Sequence, residues 1–274
     1  MRLLRHVPVL IAVGLTVLAT SVGPAAASGS GPIALPPANG RFDYQIGGAY
    51  RPLPSVKIVD RDRTSTPVKG KYNVCYVNAF QTQPDELRFW MSKHPQLLLK
   101  YRGDYLHDPG WPGEVLLDTS TAAKRAQIAK IESGWFAGCA KKGFRAIEPD
   151  NLDSWTRSHK ELTKADNLGL AKLLVKAAHA RHLAIAQKNT AGLGTVGAKK
   201  IGFDFAIAEE CQVYTECSNY TKAYGREVFE IEYTDNGLKA YPRACRLRGK
   251  QISIILRDRD VVPRGHKGYH YQAC

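Results

Sequence analysis

The sequence predicts a single-domain α/β fold, a (β/α)8 TIM barrel, and three observations point there. Short β-branched or aromatic runs recur eight times. Most are near-continuous apolar stretches, as parallel strands buried on both faces require. Helix-like segments fall between many of them, with no Pro/Gly/Ser linker or low-complexity block in the body of the chain. The 274 residues, 44% of them hydrophobic, can bury a large core, and barrels of this kind use about 250 residues as one domain. The runner-up is an open doubly wound sheet.

In chain order, Arg2 and Arg5 precede an apolar run from Val9 to Leu18, and Ala25-Ala26-Ala27 supplies a small-residue cleavage signal. Residues 1–27 therefore read as a secretory signal peptide, the run being shorter than the ~20 residues of a membrane span. Its removal takes two Arg and no acid from the formal charge of +14, leaving +12. Residues 28–40, with Pro36-Pro37, read as a flexible N-terminal segment, and the barrel is assigned to 41–274. The expected strands are residues 42–46, 56–60, 72–78, 144–148, 183–188, 203–208, 228–233 and 251–257. An enlarged excursion spans 79–119, and a short crossover spans 190–202.

Two helices are well signalled. Between Ser120 and Lys142, Ile128, Ile131, Trp135 and Cys139 recur at spacings of three and four, with Gly143 where a C-cap belongs. Between Thr163 and Arg181, Thr163-x-x-Asp166 is a capping-box pattern, and Leu170, Leu173, Leu174, Ala177 and Ala178 form the expected buried stripe. Six cysteines in an exported chain suggest three disulfides. Fifteen connectivities stay open, with Cys211–Cys217 and Cys245–Cys274 suggested by position and not decided.

The strand ends carry the chemistry. In such a barrel the reactive groups follow the C-terminal ends of the strands. Here the runs lead into Asp60 and Asp62, Asn78, Glu148 with Asp150 and Asp153, Lys188 and Asn189, Glu209 and Glu210, Glu232, and Asp258. A lone acid at a strand end is ordinarily a solvated loop residue. Several converging on one rim raise one another's pKa, which is costly unless they work on a substrate or bound cation. Glycosidic cleavage needs such a pair, one carboxyl protonated toward the leaving oxygen and one ionised. Tyr44, Tyr76, Trp155, Tyr233 and Lys188 lie near the same ends and suit a sugar.

These residues resemble a known family. Phe42-Asp43-Tyr44-Gln45-Ile46, Val74-Cys75-Tyr76-Val77-Asn78, Trp111-Pro112-Gly113-Glu114, the run Gly143 to Asp153 with Glu148-Pro149-Asp150-Asn151, Gln187-Lys188-Asn189, Glu209-Glu210-Cys211 and Ile231-Glu232-Tyr233 appear in order. The set is similar to the endo-α-1,4-polygalactosaminidase family of glycoside hydrolases, secreted barrels acting on galactosamine-containing polysaccharide, over roughly residues 43–260. The resemblance implies that Asp150 is the catalytic aspartate and Glu209 the catalytic glutamate, with Glu210 a rival because a one-residue shift changes the face. It implies that Asp60, Asn78, Lys188 and Glu232 line subsites, with Tyr44, Tyr76 and Tyr233 as further sugar contacts. Phe144-Arg145-Ala146 and Ala208 stand where the family often has Phe-Asp-Gly and Asn; the latter bears on a substrate contact.

Other chemistries fit less well. There is no Cys-x-x-Cys or His-Glu-x-x-His, so no metal and no cofactor is expected. Gly192-Leu193-Gly194-Thr195-Val196-Gly197 spells a dinucleotide fingerprint but lacks the following long helix and downstream acid. Gly-x-Ser-x-Gly is absent from the barrel. His179 and His182 suit a helix end and a strand start. Tyr269, His270 and Tyr271 pack on the barrel or form a sugar platform. The basic runs are scattered and match no nucleic-acid motif. The expectation is an extracellular monomer with a polysaccharide substrate and no membrane span in the mature protein. Retention on an anionic cell-envelope polymer is also open, and the alternative function is a non-catalytic carbohydrate- or envelope-binding barrel.

Overall fold

The computed structural model of the chain describes residues 32–274; the signal-peptide assignment to residues 1–27 lies outside them. The elements run β1 (Phe42–Tyr44), β2 (Ile58–Asp62), β3 (Tyr72–Asn78), α1 (Leu87–Lys93), the hairpin β4 (Lys100–Tyr101) and β5 (Asp104–Tyr105), α2 (Ala122–Lys142), β6 (Ala146–Asp150), α3 (Lys164–His179), β7 (Ala184–Lys188), β8 (Phe205–Glu209), α4 (Cys217–Tyr224), β9 (Val228–Tyr233), α5 (Ala240–Arg248), β10 (Ser253–Arg257) and β11 (Tyr271–Ala273). All eight expected strands form, in one sheet ordered β1-β2-β3-β6-β7-β8-β9-β10, parallel throughout, with β11 added antiparallel to β10. The sheet curls into a nearly closed, TIM-barrel-like ring. No ladder joins β10 to β1; Ser253 Oγ donates to the Gly40 carbonyl at 2.6 Å and Tyr271 OH to the Phe42 carbonyl at 2.7 Å across that seam.

The eightfold alternation is incomplete. No α-helix separates β1 from β2 or β2 from β3, and the β7–β8 crossover is a 3-10 turn (Ala191–Leu193) and a single π turn (Gly197–Ile201). Gly197 belongs to that turn for a steric reason: a Cβ there would meet Gln187 Oε1 at 2.0 Å. The Gly-rich run is thus a packed crossover. Pro32–Gly40, expected to be flexible, is laid against the barrel, with Ile33 packed on the inner core and the Ala34 carbonyl accepting from Tyr72 OH at 2.7 Å.

Alternation along each strand divides the core in two. Phe42, Ile58, Val74, Ala146, Ala184, Phe205, Phe229 and Ile255 fill the ring interior, while Cys75, Ile147, Ile185, Ala206 and Ile254 face the helices. In α2 the buried face is Ile128, Ala129, Glu132, Phe136 and Cys139, with Ile131 and Trp135 half-buried beside it. Gly143 caps the helix at φ 100°. Thr163 and Asp166 make the reciprocal capping box of α3, whose Leu170 and Leu174 are buried while Leu173 is exposed. Three disulfides, Cys75–Cys139, Cys211–Cys217 and Cys245–Cys274, tie β3 to α2, close a loop, and fix the tail.

Candidate active site

The ring's inward register decides which polar residues meet. On β6, Ala146, Glu148 and Asp150 alternate with Ile147 and Pro149; on β7, Ala184, Ala186 and Lys188 share one face; on β8, Phe205, Ile207 and Glu209 do so. The last member of each set lies at the C-terminal end of the ring, and all three converge. Lys188, fully buried, is their hub: its Nζ donates to Glu148 Oε1 at 2.8 Å and Tyr44 OH at 3.1 Å, and lies 3.1 Å from Asp150 Oδ1 and 3.4 Å from Glu209 Oε2. Those two carboxylate oxygens are therefore no further apart than 3.1 Å and 3.4 Å laid end to end, 6.5 Å.

Each carboxylate has its own supports. Asp150 accepts from Tyr76 OH at 2.8 Å and from the Asn151 backbone N–H at 2.7 Å. Burial pushes its carboxyl up, but Lys188, Tyr76 and Asn151 outweigh burial and hold it below the usual aspartate range. Glu209 accepts from Asn189 Nδ2 at 2.9 Å and from the Tyr233 hydroxyl, and its backbone N–H donates to Asn189 Oδ1 at 2.9 Å. Beneath them, burial first and Glu148 next raise the Asp60 carboxyl well above the usual range. Glu148 is raised by burial against the pull of Lys188.

The cleft above this cluster has a volume of about 680 Å³. Its floor carries Asp150, Lys188, Glu209, Tyr76 and Tyr233. One wall comes from the 79–119 excursion: Asp108 accepts from the Gly110 and Trp111 backbone N–H groups at 2.8 and 3.1 Å, an Asx-type turn that leaves Trp111 53% exposed on the rim. Glu114 on the same wall accepts from Asn78 Nδ2 at 2.8 Å, and burial pushes its carboxyl up to about 7. Arg157 crosses to Asp153 at 2.8 Å, to Asn151 at 2.6 Å, and to Asp108.

Five expected site residues lie elsewhere, each for a local reason. Glu210 sits in a left-handed turn at φ 58° that points its carboxylate away, into a bidentate pair with Arg259 at 2.6 and 3.1 Å. Glu232 shares the outer face of β9 with Val228 and Glu230, opposite Phe229, Ile231 and Tyr233, and accepts from the Gln212 backbone N–H at 2.9 Å. Asp60 and Tyr44 point inward but one layer too deep to line the cleft, and Asn78 is buried behind Glu114. The sequence placed Glu148 among the strand-end acids without giving it a role, and the inward alternation 146, 148, 150 sets it under Asp150; Asp108 and Arg157, which depend on irregular loops, it did not single out.

A parallel barrel with two carboxylates facing each other at the floor of a sugar-sized cleft defines the glycoside-hydrolase class. The chain belongs to glycoside-hydrolase family GH114, the endo-α-1,4-polygalactosaminidase family, whose model matches residues 23–274. Among solved structures it is similar to Ega3 of Aspergillus fumigatus in complex with galactosamine, with 22% identity, 87% of this chain and 96% of that one covered, and a TM-score of 0.68. It is also similar to the glycoside hydrolase domain of PelA from Pseudomonas aeruginosa, at 15% identity, 82% and 96% coverage, and a TM-score of 0.55. No curated protein sequence matches it.

Proposed function

We infer that this glycoside hydrolase is a secreted enzyme cleaving α-1,4-linked galactosamine-containing polysaccharide within the chain, with Asp150 as nucleophile and Glu209 as acid/base. The observation that carries this reading is the single ammonium of Lys188 shared by the two carboxylates. It holds Asp150 Oδ1 and Glu209 Oε2 within 6.5 Å of each other, which supports the close spacing of retaining enzymes, about 5–5.5 Å, over the ~6.5–9.5 Å of inverting ones. Asp150, held ionised by Lys188, Tyr76 and Asn151, attacks the anomeric carbon. Glu209 gives its proton to the leaving oxygen, then takes one from the water that releases the sugar. The Tyr233 hydroxyl at Glu209 both donates and accepts, so it serves either protonation state. Trp111, exposed on the rim, offers a ring face to sugar. The galactosamine bound by Ega3 and the acidic walls of this cleft support an amino-sugar substrate. The disulfides support export.

The test is incubation of the wild type, Asp150→Asn, Glu209→Gln and Glu210→Gln with an α-1,4-galactosamine polymer, followed by product sizing. Both cleft variants are expected to lose about 10³-fold or more in rate, with Glu210→Gln staying within about tenfold of wild type. Full activity in the Asp150 and Glu209 variants overturns the residue assignment. A wild type that binds the polymer and releases nothing overturns the catalytic reading in favour of a binding barrel.

A further inference from the structure

A formal charge of +14 sits oddly with a cleft floored by carboxylates, and the fold resolves this by leaving the end opposite the cleft with cations and few acids. Each barrel helix runs back along the sheet, so its last turn and the start of the next strand meet at the end opposite the cleft. α2, α3, α4 and α5 reach β6, β7, β9 and β10 through a few residues each. At that end the strand starts carry Arg41, Lys57, Arg145, Arg226 and Lys250, all exposed. Backbone bonds hold neighbouring starts side by side: Lys57 N donates to the Arg41 carbonyl at 2.8 Å, and Tyr72 N to the Lys57 carbonyl at 2.9 Å.

The helix ends add to the same face. Lys141, Lys176, Lys222 and Arg246 occupy the last turns of α2 to α5 and are exposed. Among the described residues, the segments leading into the eight ring strands bring two acidic side chains to this end, Asp204 and Glu227. Asp204 is occupied by His179 Nε2 at 2.8 Å and the Ile185 N–H at 2.9 Å, and burial raises Glu227. A cation in a last turn suits the helix dipole, but that does not account for the five at strand starts.

We propose that this basic end is a docking surface for a linear phosphodiester polyanion of the cell envelope, which holds the enzyme while its cleft faces outward. Arg and Lys together suit phosphate, through planar and point-charge donors respectively. Strand starts lie about 5 Å apart, so a flexible charged chain can follow them. A bilayer surface favours a helix with a broad apolar face between its cations, whereas the strand-start cations are flanked by buried residues, glycine or polar residues. Duplex DNA is read by a helix or ribbon entering its groove, and this end presents strand starts and helix ends.

Binding is measured on the full protein in about 0.15 M salt, where charges separated by more than about 8 Å are screened. The probes are poly(glycerol phosphate), duplex DNA at equal phosphate, and phosphatidylglycerol vesicles. A fourfold variant of the basic end (Arg145→Gln, Lys176→Gln, Arg226→Gln, Lys250→Gln) is expected to weaken polymer binding about tenfold or more. A control at the cleft end (Arg102→Gln, Lys160→Gln, Lys239→Gln, Lys267→Gln) is expected to change it less than about twofold. Thermal unfolding confirms that both variants fold, independently of any hydrolytic activity. Equal losses in the two variants, tighter binding to DNA or vesicles than to the polymer, or no polymer binding by wild type overturns the proposal.

Discussion

Lys188 does two jobs for one side chain. A fully buried ammonium is costly unless paired, and here Glu148 anchors it from below while Asp150 and Glu209 meet it from above. Lys188→Met is expected to lower kcat/KM about 100-fold or more. It also removes the main charge holding Asp150 down, so the acid limb of the residual pH profile moves to higher pH; an unmoved limb contradicts the role given to Lys188. Glu114, raised to about 7, titrates in the cleft near neutrality, and Glu114→Gln is expected to remove one inflection there from the pH dependence of kcat/KM. Asp150 and Glu209 stood out in the sequence through the resemblance of their motifs to the family's, and in the structure the period-two alternation from Ala146 and Phe205 brings both onto the inward face. The same count from Phe229 turns Glu232 outward. Glu210 was not separable from Glu209, since nothing in the residue order announces a left-handed turn.

At the scale of elements, the eight strands were legible because buried parallel strands leave long apolar runs. The two helices were legible, α2 from its three-and-four apolar spacing and the Gly143 C-cap and α3 from the fixed Thr163–Asp166 capping-box spacing. The missing helices after β1 and β2 were not, because irregular connections follow local packing that no periodicity encodes. Cys75–Cys139 encloses a separation of 64 residues and Cys211–Cys217 one of 6. Loop-closure entropy then predicts that removing the first pair costs about 4 kcal/mol and the second about 2 kcal/mol. Denaturant unfolding of the Cys75→Ala/Cys139→Ala and Cys211→Ala/Cys217→Ala variants checks the ranking, and the reverse order contradicts it. Thr163→Ala breaks the α3 capping box and is expected to cost about 1 kcal/mol in the same assay.

The two ends of the molecule differ in net charge: acids gather at the cleft, where Arg157, Lys188 and Arg259 offset them, while the strand starts and helix ends opposite carry cations with few acids. Several acids outside the reacting pair are raised by burial, Asp60 and Glu132 strongly and Glu232 to about 8. The native state therefore holds protons that the unfolded chain gives up, and stability falls as pH rises through that window. For Glu232 the contribution is fully present below about 4.5 and lost toward about 8. Glu232→Gln is expected to flatten the fall in unfolding free energy across that interval, and an unchanged slope contradicts the burial account.

The pairing of Asp150 with Glu209 is tested most directly by mass mapping of a trapped intermediate. Glu209→Gln, given an α-galactosaminyl substrate with an activated leaving group, should form the glycosyl-enzyme without acid help and release it slowly. One sugar residue on the peptide carrying Asp150 is the predicted result. A sugar on any other carboxylate, or turnover with inversion and no adduct, contradicts it.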